Sequence, residues 1–386
     1  MENPFKYGGA VRGPYFADRK SELKELKREI LNRNHVFLVS PRRFGKTCVL
    51  LNLVEMLKRD AVACAYIDLN AFPDIRSFAG ALATHATGAL ETNKDRLLKM
   101  FAGFQSLRPK VTVEPDGTIS AGLKLAVEEK DSLSALLEGM QHSEKLAVKK
   151  RKKLVVIIDE FSDLEKYNGE SIEKAIRSEI QKQTHISYIF SGSEESVMLS
   201  MIRDRKRAFY KLGRIMKLGP IERNAYTKFI SGWLNKGGFT INDDNLQRIF
   251  EIGNDVPYNI QRLCNVMWDH ARKTETIDSE LIEKLPVIIA QQDSPHFEML
   301  WRSASQPQKM LLIALSKDQA AKPFSKDFQL KHGIGPSSSI KASFDSLIKK
   351  GILFKTPQGR YHFVDRFMPY WIGYIIKNKD RSFLIK

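Results

Sequence analysis

The stretch Ser40–Thr47, SPRRFGKT, joins two segments of different periodicity. Before it, HVFLVS (His35–Ser40) is a short apolar run of the kind that forms a buried strand. After it, TCVLLNLVEMLKR places Val49, Leu50, Leu53, Val54 and Leu57 at the spacing of one helix face. A strand, a loop ending in Gly-Lys-Thr and a helix is the order in which a phosphate-binding loop is built, and the loop pattern is G-x-x-x-x-G-K-[ST]. The chain meets that pattern everywhere except its first position, where Ser40 stands in place of glycine. A serine serves there if its φ is negative.

The residue types fit the chemistry. Backbone N–H groups at a helix N-terminus surround phosphate oxygens, and the helix dipole favours the anion. The candidate contact segment is Ser40, Pro41, Arg42, Arg43, Phe44, Gly45, Lys46, Thr47 and Cys48. Lys46 would reach the β- and γ-phosphates, and the Thr47 hydroxyl would ligate Mg²⁺. One octapeptide with a mismatch is also compatible with an ordinary helix start, so a second site is needed.

That second site is LVVIIDEF (Leu154–Phe161), an uninterrupted apolar run ending in Asp159 and Glu160. Charges at the end of a buried strand are tolerable at the carboxyl edge of a parallel sheet, where ligands of open α/β sheets bind. Asp159 suits a Mg²⁺-holding role, and Glu160 suits the base that polarises an attacking water. Ser191, in the run ending Ser191-Gly192-Ser193, could hydrogen-bond that water or the γ-phosphate, or simply belong to a turn. Arg203, Arg205, Arg207 and Arg214 follow, and Arg214 is the candidate for neutralising transition-state charge, within the chain or across a subunit boundary.

Five β runs (His35–Ser40, Val62–Leu69, Leu154–Phe161, His185–Ser193 and Arg214–Leu218) alternate with helical segments, which predicts a parallel sheet covered by helices on both faces. Helices are expected over Ile75–Gly88 and Lys94–Phe104, and a hairpin insertion near 108–126 around Pro115-Asp116-Gly117. The predicted units are an α/β core over 1–220, an all-α segment over 221–295 and a third unit over 300–386.

In the third unit two short helices, a Gly335-Pro336 turn, a third helix and two β runs give the layout of a winged helix-turn-helix. The third helix would present Ser337, Ser338, Ser339, Lys341 and Ser343 to a major groove, and Lys355 and Arg360 on the wing would meet phosphates. Charge agrees. The chain carries +17, and residues 301–386 hold 16 Lys and Arg against 5 Asp and no Glu, a net +11. A basic segment points to a polyanion, nucleic acid before membrane. The competing reading is a winged helix that docks protein.

The chain has 386 residues, 42% hydrophobic and 28% charged, a globular composition. No apolar run approaches the roughly 20 residues that span a bilayer. The start, MENPFKYGGA, lacks the layout of a secretory signal. Cys48, Cys64 and Cys264 are odd in number and far apart, as reduced thiols would be. The expectation is a cytoplasmic protein with no membrane partner.

Taken in order, NPF, FADR (Phe16–Arg19), PRRFGKT, VVIIDEF, SGS, LGRIMKLGPI and VPYNIQRLC resemble the archaeal-type ATPase group of the AAA+/STAND P-loop ATPases, related to replication initiators. The resemblance covers Asn3 to about Cys264, with a further match at the C-terminus. It implies a P-loop NTPase core, a helical lid and a C-terminal winged helix, acting on ATP with Mg²⁺ and holding ATP or ADP. It also implies that Phe16, Asp18 and Arg19 lie near the adenine and that Pro257 of the lid contacts the nucleotide. GNDVPYNIQ departs from the family's G-x-P spacing, and Arg262 lies one turn on. Three readings follow: a slowly hydrolysing ATP switch that binds double-stranded DNA, a nucleotide-bound regulator that does not hydrolyse, and an ATPase whose winged helix contacts a protein partner or a second copy of the chain.

Overall fold

The computed structural model describes residues 1–91, 107–113, 119–125, 132–167, 169–271, 276–318, 322–356 and 358–378. The helix expected over Lys94–Phe104 and the turn Pro115-Asp116-Gly117 lie outside them. The chain forms two compact units, residues 8–221 and residues 1–7 together with 222–386.

In the first unit the strands are β1 (Val36–Val39), β2 (Ala63–Asp68), β3 (Leu107–Val113), β4 (Ile119–Leu125), β5 (Leu154–Asp159), β6 (Ile186–Gly192) and β7 (Arg214–Lys217). Five of them make one sheet in the order β2-β5-β6-β1-β7, with every neighbouring pair parallel. All five therefore end at one edge, where Asp68 stands opposite Asp159 and Val39 opposite Gly192. β3 and β4 pair antiparallel as a separate hairpin, at the expected insertion.

Among the described residues six helices cover this sheet: α1 (Lys20–Leu31), α2 (Lys46–Arg59), α3 (Ile75–Leu90), α4 (Ser132–Lys150), α5 (Gly169–Ile180) and α6 (Glu195–Arg203). Strand alternation divides the core in two. Val36, Leu38, Val155, Ile157 and Ile189 face α1 and α2, whereas Phe37, Val39, Val156, Ile158, Tyr188 and Phe190 face α3, α4, α5 and α6. Asp159, in phase with Val155 and Ile157, thus ends its strand on the side of α2, the helix that follows the Gly-Lys-Thr loop.

The second unit is helical, with α7 (Arg223–Gly237), α8 (Asp243–Gly253), α9 (Pro257–His270), α10 (Ser279–Gln292) and α11 (Ser294–Ser303). Two-residue strands β8 (Thr240–Ile241) and β9 (Thr276–Ile277) pair in parallel between these helices, a detail too short to register as periodicity. The N-terminal segment belongs to this unit. Phe5 is fully buried beside Phe229 and Trp268, and Asn3 and Asn265 exchange hydrogen bonds with backbone.

The same unit carries α12 (Gln306–Lys317), α13 (Lys326–His332), α14 (Ser337–Lys349), β10 (Leu353–Lys355), β11 (Tyr361–Phe363) and α15 (Met368–Asn378). This is the expected winged-helix order. Arg262 of α9 forms a bidentate pair with Asp293, at 2.5 and 2.7 Å, and its guanidinium lies 5.6 Å from both the Tyr7 and Phe367 rings. Arg366 donates to the Ile252 carbonyl and Trp371 to Ser294. The helices and the winged helix are therefore pinned together. Among the described residues no helix is long and apolar enough to cross a membrane.

Candidate functional site

The loop before α2 takes its shape from two left-handed residues. Arg43 (φ 72°) and Gly45 (φ 85°) alternate with right-handed or extended neighbours, the geometry that turns successive N–H groups toward one point. Ser40 keeps a negative φ, is fully buried, and donates its N–H to the Gly192 carbonyl at 3.3 Å. A Cβ at Gly192 would stand 2.6 Å from Met198 Cγ and Sδ, so a side chain there would force Met198 to shift. Pro41, Arg42 and Arg43 are exposed, while Phe44, Thr47 and Cys48 are half-buried.

Behind the loop, one carboxylate gathers the site. Asp159, 1% exposed, accepts from Lys46 Nζ and Ser191 Oγ on Oδ1, and from Thr47 Oγ1 (3.0 Å) and Tyr66 Oη (2.9 Å) on Oδ2. Burial opposes its ionisation, but Lys46, Ser191 and Tyr66 outweigh burial and hold its carboxyl below the usual range. Glu160 follows in a left-handed conformation (φ 51°), uncommon for a residue with a side chain. That turn brings its Oε1 within 3.0 Å of Lys46 Nζ and its Oε2 to the Ser193 hydroxyl (2.8 Å) and N–H (3.2 Å). Lys46 thus bridges both carboxylates, of which Ser191 of β6 also holds one and Ser193, just past β6, the other.

The donor set fits a hard divalent cation. Thr47 Oγ1 and an Asp159 oxygen lie side by side, and Mg²⁺ is ordinarily held by one or two such oxygens with phosphate and water completing the octahedron. Among the described residues no cluster of three or more His, Cys, Asp or Glu could hold a metal by itself.

Sequence reasoning missed Tyr66, Ser193 and Asn52. Tyr66 was visible as the one hydroxyl in an otherwise apolar stretch of β2. Asn52, on α2, bonds the Val11 carbonyl and the Gly13 N–H, and Cys48 Sγ accepts from Val11 N–H. These bonds lay the segment 11–13 along the start of α2. Burial pushes the Cys48 thiol up.

Within the chain two expectations, for Arg214 and Ser343, need correction, and Arg19 has a further role. Arg214 opens β7 opposite Val36, at the amino end of a parallel sheet and so at the edge away from Lys46, where it pairs with Glu25 and Glu29. Arg19 is 3% exposed, and its guanidinium donates to the carbonyls of Phe44 (3.2 Å), Gly219 (2.6 Å) and Pro220 (3.3 Å) and to Glu22 (2.8 Å). These bonds hold the loop. On α14, Ser343 is buried with Ile340, Phe344 and Leu347, so it faces the core.

The other expected residues fall as follows. Phe16 packs on the core under α1 and α2, and Asp18 (φ 42°) accepts from Lys20 N–H. Pro257 is buried as the first residue of α9, and Tyr226 Oη bonds its carbonyl. Arg207 is paired with Glu173 and Glu165. Ser337, Ser338, Ser339 and Lys341 are exposed along α14, and Lys355 and Arg360 are exposed on the wing.

Known proteins give matching patterns. A family model described as "ATPase domain predominantly from Archaea" matches residues 16–263, and one described as "Probable winged helix domain" matches residues 295–374. No curated protein matches the chain. A solved structure of a Walker-type ATPase from Pyrococcus abyssi is similar over 96% of this chain and 99% of that one, at TM-score 0.59 and 13% identity. The Orc2 protein of Aeropyrum pernix, solved as ADPNP–ADP complexes, is similar over 98% of each chain at TM-score 0.53 and 13% identity. At these identities the likeness concerns the fold, a P-loop NTPase core with a helical region and a winged helix.

Proposed function

The chain belongs to the family of ATPase domains found predominantly in Archaea, and from that premise we propose that it is a Mg-ATP-dependent switch that binds DNA through its winged helix. The observation that carries the hydrolytic part is the convergence of Lys46, Thr47, Asp159 and Glu160 at one point of the sheet edge. The loop N–H groups and Lys46 would hold the β- and γ-phosphates, and Thr47 with Asp159 would hold Mg²⁺. The ion, when bound, neutralises charge on the phosphate oxygens.

Phosphate competes with the carboxylates for Lys46, which releases Glu160 Oε1 to orient water and accept its proton. Ser193 keeps the other Glu160 oxygen fixed while that happens. Output through the winged helix is favoured by the pinning of Arg262 between Asp293, Tyr7 and Phe367, which lets the helices and winged helix move as one body.

Single-turnover hydrolysis separates the readings. Glu160→Gln should bind ATP yet lose about two to four orders of magnitude in hydrolysis, the usual worth of a positioned base. Equal inactivity of wild type and variant, with nucleotide still bound, would leave only the non-hydrolysing regulator. For DNA, affinity should fall steeply with salt, by about 0.9 log units per log salt for each phosphate contacted. Loss of Lys341 should lower that slope by about one contact.

A further inference from the structure

The wing carries an aromatic pair that its own packing leaves outside. In the β10–β11 hairpin, Leu353 stands opposite Phe363, Phe354 opposite His362 and Lys355 opposite Tyr361. Successive pairs point to alternate faces. One face is the inner one: Leu353 is buried, and the Tyr361 ring stacks on Phe344 of α14 with centroids 3.6 Å apart. The other face bears Phe354 and His362, ring centroids 5.7 Å apart and planes 33° from one another. Phe354 is 45% exposed, and Val364, in phase with His362, is 44% exposed.

The sequence around this pair is mainly basic. Residues 350–366 contain Lys350, Lys355, Arg360 and Arg366 against Asp365 alone. Arg360 precedes His362 by two residues and shares its side of the hairpin. Burial, with Arg366 and Arg360 nearby, lowers the His362 pKa, so the imidazole presents a neutral ring. Two adjacent ring faces flanked by cations match a planar aromatic group attached to phosphate. Bases inside a duplex have both faces covered by neighbours, so an exposed ring pair gains nothing from them, whereas an unpaired base offers a free face worth a stack.

We propose that Phe354 and His362 form a stacking step for an unpaired base, and that the wing thereby binds single-stranded DNA, with Arg360 on the adjoining phosphate. This rests on the nucleic-acid reading above and narrows it from duplex to strand. The same cations make the step a poor seat for an apolar protein segment.

The test uses the full chain and fluorescence anisotropy with three labelled probes: oligo-dT, a duplex, and a duplex with a single-stranded tail. Phe354→Ala should weaken oligo-dT and tailed duplex by roughly tenfold, the scale of one lost base stack, and leave the blunt duplex unchanged. Phe354→Tyr should retain binding, and His362→Ala should act in the same direction as Phe354→Ala. A 2-aminopurine in the oligonucleotide should be quenched by wild type and not by Phe354→Ala. An unchanged thermal midpoint excludes misfolding of these exposed-site variants.

If Phe354→Ala weakens strand and duplex alike, or neither, the stacking step is wrong while duplex binding stands. If it alters self-association in size-exclusion chromatography but not DNA binding, the pair is a protein-docking site. Failure of every probe at low salt, with and without ATP, overturns the DNA reading itself.

Discussion

Replacing Arg19 by methionine tests whether this residue builds the phosphate loop or contacts a nucleotide base. Arg19 and Asp18 are consecutive left-handed residues, an arrangement costing about 1 kcal/mol or more each, so other interactions must hold it. Those interactions are the four hydrogen bonds of a guanidinium that is 3% exposed. A hydrogen bond to an ionised group contributes about 1.5–3 kcal/mol. The Glu22 pair counts for little because that carboxylate is partly solvated. The three carbonyl bonds share one donor whose burial is itself costly, so they do not add. Methionine keeps most of the aliphatic stem and leaves little cavity. The expected loss is about 2–4 kcal/mol, a large share of ordinary domain stability.

Two probes make that loss visible. All four tryptophans, Trp233, Trp268, Trp301 and Trp371, lie in 222–386, so fluorescence reports that unit while far-UV circular dichroism reports both. Arg19→Met should move a dichroism-detected urea midpoint down by about 1–2 M, given usual urea slopes. Nucleotide affinity should fall with it, because the Phe44 carbonyl loses its anchor. Arg19→Lys, which keeps the charge but not the planar fork, should fall between the two. An unchanged midpoint with weakened nucleotide binding would refute the latch and restore a base-contacting Arg19.

Two further outcomes follow from single residues. Ser40→Gly should bind nucleotide as well as wild type, measured by equilibrium titration, because the native φ is already open to serine; its cost is a loss of about 0.5–1 kcal/mol from the more flexible unfolded chain. His35 is half-buried against β6, where its Nδ1 accepts from the Tyr188 N–H, and its partial burial lowers its pKa to about 4. The unfolded chain then takes up a proton near pH 6.5 that the folded chain refuses. Stability should therefore fall as pH drops from about 6.5 toward 4, and His35→Asn should remove part of that slope in urea midpoints measured across the range.

The parts of the site written as contiguous pattern were legible in the sequence. Gly-Lys-Thr at a helix start and Asp-Glu at a strand end are local statements, and strand order brought them together as expected. Arg214 went astray for want of one physical rule: in a parallel sheet, a residue at the amino end of a strand lies at the edge away from the phosphate loop. The same holds for Ser343, three residues after the buried Ile340 and so on the core side of its helix. Helical period alone could have placed it.

What no pattern could supply is which of two in-phase groups meets which partner. Ser191 lies in β6 and Ser193 just past its end, two residues apart, yet one bonds Asp159 and the other Glu160. The difference originates in β5, where Glu160 leaves the strand in a left-handed turn and carries its carboxylate past Asp159. Lys46 reaches both carboxylates across 113 and 114 residues of sequence. Ser40 obeys the same logic. The loop's left-handed turns fall at Arg43 and Gly45, which leaves the first position free to be a serine that only closes onto the Gly192 carbonyl. Close approach, the usual reason for glycine, has moved one strand over, to Gly192, where a side chain would have to displace Met198.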